Sequence, residues 1–193
     1  MAATPSTMLA LGTPAPDFNL PDIAGPGAHR SLRDFADRDA LVVMFICAHC
    51  PFVKHITGEL ARLGRDYADR GVALVGITSN DVANYPADAP EPTAQFARES
   101  GWDFPVLYDE TQLVAQSYSA ACTPDFFVFD RERRLVYRGQ LDESRPTRGT
   151  SDGRDLRAAL DALLAGQKPD ADQKPSIGCN IKWKPGNEPA YFR

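Results

Sequence analysis

An uninterrupted apolar run, Leu41-Val42-Val43-Met44-Phe45-Ile46, leads directly into Cys47-Ala48-His49-Cys50-Pro51, and this junction restricts the fold more than any other stretch. A short run rich in β-branched residues, with no polar residue to face water, reads as a strand buried on both faces of a parallel sheet. Immediately after it, Phe52, Val53, Ile56, Leu60, Leu63 and Tyr67 recur at helical spacing. A central strand that passes straight into an amphipathic helix belongs to an α/β architecture. The two cysteines therefore sit at a helix N-terminus, where unpaired backbone N–H groups and the helix dipole stabilise a thiolate.

Two thiols at this spacing can close a small disulfide ring or open it, which is redox chemistry. A protonated His49 between them would favour a thiolate on Cys47. Lowering that pKa stabilises the dithiol, making the disulfide a better oxidant, while weakening the thiolate as a nucleophile. The direction of electron flow is therefore open. The competing readings are that Cys47 and Cys50 are buried small hydrophobes or half of a zinc site. A lone pair argues against zinc, because structural sites use four ligands. No metal and no other cofactor is expected. His55, further along the same helix, reads as a packing or surface residue.

At 193 residues, with 24% charged and 43% apolar residues, the chain suits one soluble domain spanning 1–193. Its formal charge of −5 argues against a phosphate-backbone binder, which would need a basic face, so no nucleic-acid partner is expected. No apolar run reaches membrane-spanning length, so no membrane partner is expected either. The first residues lack a basic segment followed by a sustained apolar stretch, which points away from a secretory signal. A cytoplasmic address is the default expectation. Four cysteines in a chain of this length are more consistent with catalysis or sensing than with a disulfide framework.

Along the chain, residues 15–20 read as a short edge strand. The Gly25-Pro26-Gly27 turn then gives a hairpin whose returning arm starts at Ala28, with His29 taken as a loop residue without a role. Val72 to Thr78 is a second buried strand, parallel to the first, and Ser79-Asn80-Asp81 should open on the sheet edge that carries the cysteines. Thr93 to Ser100 and Glu110 to Tyr118 read as helices around a short strand at 105–108. Residues 125–129 and 135–138 form two strands about a charged turn. Leu156, Leu160, Leu163 and Leu164 stripe a last helix that Gly166 ends. By composition the tail, 167–193, reads as loosely structured. Ile177, Ile181 and Trp183 around Cys179 are nevertheless more apolar than a free tail needs, so the tail is expected to pack back on the domain.

The second informative site is Cys122-Thr123-Pro124. A proline just before a strand cannot donate to a ladder, so it belongs at the strand entry. Beyond an upstream strand-CxxC-helix it suggests a cis-proline loop facing the dithiol, with the Thr123 backbone free to pair with an extended substrate.

Three segments, Pro14-Ala15-Pro16-Asp17-Phe18, Cys47-Ala48-His49-Cys50-Pro51-Phe52 and Thr123-Pro124-Asp125-Phe126-Phe127, together resemble the thioredoxin-fold redoxins. Among these the chain is most similar to peroxiredoxin-like proteins of the AhpC/TSA group. The likeness covers roughly residues 10–185, since 175–183 resembles that subgroup's tail. The resemblance implies a central mixed sheet flanked by helices, with an N-terminal hairpin and a C-terminal extension, a site at Cys47 and Cys50, and a cis Pro124. The Cys47-Ala48-His49-Cys50 sequence also resembles the CxHC site of disulfide oxidases.

The chain departs from that pattern in two places. Peroxiredoxins carry Pro-x-x-x-Thr-x-x-Cys; with Cys50 as that cysteine, Cys47 stands in the threonine position and Val43 in the proline position. Arg138, Arg145 and Arg154 are candidates for the accompanying arginine, and the sequence selects none. Where thioredoxins place a buried aspartate, six residues before the first cysteine, this chain has Leu41.

The expected activity is thiol–disulfide oxidoreduction. Cys47 attacks a protein or small-molecule disulfide, Cys50 resolves the mixed disulfide, His49 tunes the pKa, and Thr123 and Pro124 shape the substrate edge. The alternatives are a thiol peroxidase and a non-enzymatic redox sensor or metal-binding module. Cys122 and Cys179 are candidates for a third thiol; the competing and favoured reading of Cys179 is a buried packing residue, since free cysteine is among the most buried types. The reducing partner is not legible.

Overall fold

The computed structural model describes residues 3–25 and 27–192. In chain order the strands are β1 (Ala3–Pro5), β2 (Asn19–Pro21), β3 (His29–Ser31), β4 (Ala40–Phe45), β5 (Val72–Thr78), β6 (Val106–Tyr108), β7 (Cys122–Thr123), β8 (Asp125–Phe129), β9 (Leu135–Gly139) and β10 (Ile177–Asn180). The helices are α1 (Pro51–Ala68), α2 (Pro90–Glu99), α3 (Leu113–Ser117) and α4 (Arg154–Leu164).

Five strands form the central sheet in the order β6-β5-β4-β8-β9. The apolar run is its middle strand. β4 pairs parallel with β5, Ala40 opposite Val72, and antiparallel with β8, Leu41 opposite Phe129. Every residue of β4 is buried, because alternate side chains enter different cores. Val42 and Met44 pack with Leu60 and Leu63 of α1 and Leu156 and Leu160 of α4. Leu41, Val43 and Phe45 pack on the other face with Tyr118, Phe127 and Trp183. Phe45, Tyr118 and Phe127 meet edge-on, with ring centroids 5.5–6.0 Å apart, a geometry that suits their quadrupoles.

Several boundaries differ from the sequence reading for local reasons. α2 starts at Pro90 rather than Thr93, since prolines at 90 and 92 fall in a first turn whose N–H groups lack helical acceptors in any case. The helix expected over 110–118 shrinks to α3, because Asp109 turns inward to accept the Ala115 N–H and the Ser79 hydroxyl. His29 is a strand residue rather than a loop residue, paired with Pro21. The hairpin arms β2 and β3 pair as expected; Pro26 of the turn lies outside the described residues.

The largest difference is in the tail. Composition suggested loose structure, but residues 177–180 form β10, the middle strand of a second sheet ordered β1-β10-β7. Cys179, Ile181 and Trp183 are buried. Averaging over the tail's prolines, glycines and charges hides this short apolar segment, whose burial outweighs the ordering entropy of the chain around it.

Candidate active site

The site forms where β4 hands over to α1. Cys50 is the N-cap residue of α1, with extended backbone, and Pro51 occupies the first helical position. Cys47 lies three residues upstream, in the turn. Opposite them stands the Thr123–Pro124 peptide, which is cis. The Cys50 thiol sits 3.2 Å from the Thr123 carbonyl oxygen, and the Cys47 sulfur 3.2 Å from the Thr123 hydroxyl. The structure therefore brings Cys47, Cys50, Thr123 and Pro124 into one cluster. Both thiols are free and almost fully shielded, at 1% and 0% exposure.

The two thiols titrate as a pair. Cys50 is drawn down to about 5, chiefly by a hydrogen bond from the Cys47 thiol, with further help from Cys179, the Val53 N–H and Thr123. Cys47 is pushed well up, first by that same bond and then by burial. The downward shift falls on Cys50, the N-cap residue of α1, and the upward one on Cys47, so the pair shares one charge between two sulfurs.

His49 has a different setting. Its backbone N–H donates to Asp88 Oδ1 at 3.0 Å, and its Nδ1 lies 2.5 Å from Asp88 Oδ2. Asp88 is completely buried, and Asn80 Nδ2 donates to it at 2.8 Å. The imidazole stacks on Tyr85, with ring centroids 5.7 Å apart. A carboxylate on Nδ1 fixes the ring's tautomer and orientation. Neither Asp88 nor Tyr85 was legible as a site residue, because the proline-rich loop that carries them has no periodicity to place it. Asn80 does lie at the end of β5, on the edge that carries the cysteines. One imidazole nitrogen, the Cys47 sulfur and an Asp88 oxygen lie within 4.8 Å of one another, so these three side chains could hold a metal ion.

The other cysteines are buried nearby. Cys122 is fully shielded, its thiol 3.6 Å from the Pro124 carbonyl, and burial pushes its pKa well up, with Asp125 adding to the effect. Cys179 is pushed up to about 12 by burial and by its contact with Cys50. It lies opposite Thr123 across the β7–β10 pair. Asp125 follows the cis Pro124. The aspartate is fully buried, with one oxygen unpartnered, and burial lifts its pKa well above the carboxylate range. His55 faces Ser144, its Nε2 2.9 Å from that hydroxyl.

The Redoxin family description matches residues 10–160 of the chain. The chain belongs to the Redoxin family. A putative peroxiredoxin of Mycobacterium tuberculosis is 32% identical to this Redoxin chain over 118 residues, 61% of the chain and 68% of the relative. A thiol:disulfide interchange protein DsbE of Allochromatium vinosum is 27% identical over 119 residues, 62% of the chain and 60% of that relative. Among solved structures, an uncharacterized conserved protein from Geobacillus kaustophilus is 54% identical, with a TM-score of 0.94 over 96% of this chain and 98% of its own. The mixed sheet flanked by helices is the thioredoxin-like fold, shared with more distant solved structures. Of the three candidate arginines in this Redoxin chain, Arg138 is tied to Leu9 and Gln173, and Arg154 to Asp152. Arg145 lines a small cleft together with Phe52 and Pro124, and its guanidinium is likewise tied, to the Asp142 and Ser144 carbonyls and Gln140 Oε1.

Proposed function

We propose that the chain is a thiol–disulfide oxidoreductase working through a reversible Cys47–Cys50 disulfide. The observation that carries this reading is the pair of free, buried thiols at the α1 N-terminus, Cys50 as its N-cap residue and both sulfurs 3.2 Å from Thr123 atoms beside the cis Pro124. Family membership and the named activity of the DsbE relative support it. The thiolate attacks one sulfur of a substrate disulfide, a new S–S bond forms, and the substrate's other sulfur leaves as a thiolate and takes up a proton. The second thiol of the pair then loses its proton and attacks the mixed disulfide. This releases the reduced substrate and leaves two electrons' worth of oxidation in the Cys47–Cys50 bond. With the resting charge on Cys50, Cys50 attacks and Cys47 resolves. Asp88 and Asn80 hold His49 beside the pair, and Thr123 contacts both sulfurs. Trapping with an activated aromatic disulfide tests the assignment. Cys47→Ser should accumulate a stable mixed disulfide on Cys50, and Cys50→Ser should react slowly at neutral pH.

A peroxidase reading has two supports, the similarity to a relative named as a putative peroxiredoxin and the Cys50 thiol drawn down to about 5. There Cys50 would be oxidised to sulfenic acid by peroxide, with water released, and Cys47 would condense with it to the same disulfide. Initial rates of peroxide consumption set against disulfide reduction separate the two.

A further inference from the structure

The edge of the site where an extended substrate would pair is already taken by the chain's own tail. Thr123 lies opposite Cys179, and Cys122 opposite Asn180, in an antiparallel ladder. The sequence reading left the Thr123 backbone free for a substrate; β10 occupies it. The outer edge of β10 is covered in turn, with Ala3, Thr4 and Pro5 of β1 opposite Cys179, Gly178 and Ile177.

The fit leaves no clearance. A Cβ placed on Gly178 would lie 2.0 Å from the Thr123 carbonyl oxygen and 2.5 Å from its carbon, so β10 meets the Thr123–Pro124 peptide backbone to backbone. Both ends of the strand are fastened. Ahead of it, the Ser176 N–H donates to the Ser6 hydroxyl at 3.0 Å and the Ser176 hydroxyl to the Pro124 carbonyl at 2.5 Å. After it, the Lys182 N–H donates to Asn80 Oδ1 at 2.8 Å, and the Lys182 carbonyl accepts from Gln112 Nε2 at 2.9 Å. Ile181 and Trp183 then bury their side chains against the far core. A polypeptide seeking to pair with Thr123 would have to displace all of these contacts.

We propose that β10 is a resident strand that closes the substrate edge to polypeptides, so that the dithiol acts on low-molecular-weight disulfides. This rests on the dithiol reading above. The overall exchange takes the two thiols and one small disulfide to the Cys47–Cys50 bond and two small thiols, with no further reactant. Pairing with main chain is how extended peptides gain affinity at a sheet edge, and here that edge offers none.

The test uses the full chain, fully reduced and freed of reductant, in single turnover against hydroxyethyl disulfide and, separately, insulin. Release of small thiol should proceed at least about 100-fold faster, per molar substrate disulfide, than loss of insulin disulfides. Trp183→Ala, which removes a tail anchor outside the site, should raise the insulin rate several-fold and leave the small-disulfide rate unchanged. Comparable wild-type rates on the two substrates would overturn the proposal while leaving the dithiol reading intact. A Trp183→Ala chain with native circular dichroism and no gain on insulin would also overturn it, by assigning the slow rate to something other than β10. Reduction of neither substrate, with no Cys47–Cys50 bond formed, would sink the dithiol reading and this proposal together.

Discussion

The site turns on how two sulfurs share one charge. Cys50, the N-cap residue of α1, is drawn down while Cys47 is pushed up, and both sulfurs contact Thr123, the Cys50 thiol donating to its carbonyl. The first thiolate absorbance in a pH titration of the reduced protein should therefore be centred near 5 and vanish in Cys50→Ser. The linkage has a definite sign. A thiol whose folded pKa lies below its unfolded value stabilises the fold above the unfolded pKa, and that contribution is lost as pH falls through the folded one. Wild type should therefore melt progressively closer to Cys50→Ala as pH is lowered toward about 5. At the neighbouring residue, Asp88→Ala removes the acceptor of three hydrogen bonds from His49 and Asn80. Leaving such buried donors unpaired costs about 1–3 kcal/mol, which urea unfolding would report as a lowered midpoint with an unchanged slope. The cysteines, His49 and Thr123-Pro124 were legible because their spacing and strand-to-helix placement carry chemistry. Asp88 was not, since a buried carboxylate in an aperiodic loop shows its role only once the fold brings it beside residue 49.

At the level of elements, the central strands and α1 could be read almost to the residue, because a run buried on both faces and a helical stripe are strong periodic signals. The short strands of the second sheet could not. β7 spans two residues and β10 four, lengths at which alternation carries no information, and each is held by a partner distant in sequence. The loop before α4 shows the same principle. Asp142 Oδ2 accepts the Ser151 hydroxyl and the N–H groups of Asp152 and Gly153, while Oδ1 accepts from Ser144. Burial alone would raise this carboxyl, but the hydrogen bonds from Ser144, Ser151 and Gly153 overcome it and bring it down to about 2. The anchor should thus be fully formed above the ordinary aspartate pKa and fail as pH drops through about 2. Asp142→Asn should lower the melting temperature at neutral pH, and the gap between variant and wild type should close on acidification.

For the whole molecule, the tail joins the substrate side of the site to the far core. β10 pairs with β7, its flanks bond Ser6 and Asn80, and Trp183 packs edge-on against Tyr191. Residues near both ends of the chain thereby complete one wall of the dithiol. Removing residues 167–193 should consequently cost more than a loose tail would, yielding a chain that exposes the apolar surface under Ile181 and Trp183 and binds a hydrophobic dye at 25 °C. A truncated chain that melts cooperatively at the wild-type temperature would contradict that coupling. Among the described residues no helix is long and apolar enough to cross a membrane. A redox titration against dithiothreitol, quenched with acid and followed by alkylation and peptide mass mapping, reads the Cys47–Cys50 bond itself. One two-electron transition is expected, in which Cys47 and Cys50 lose alkylation together and appear as one linked peptide. A transition in which they remain alkylated, or in which Cys50 pairs only with another cysteine, would contradict the dithiol reading.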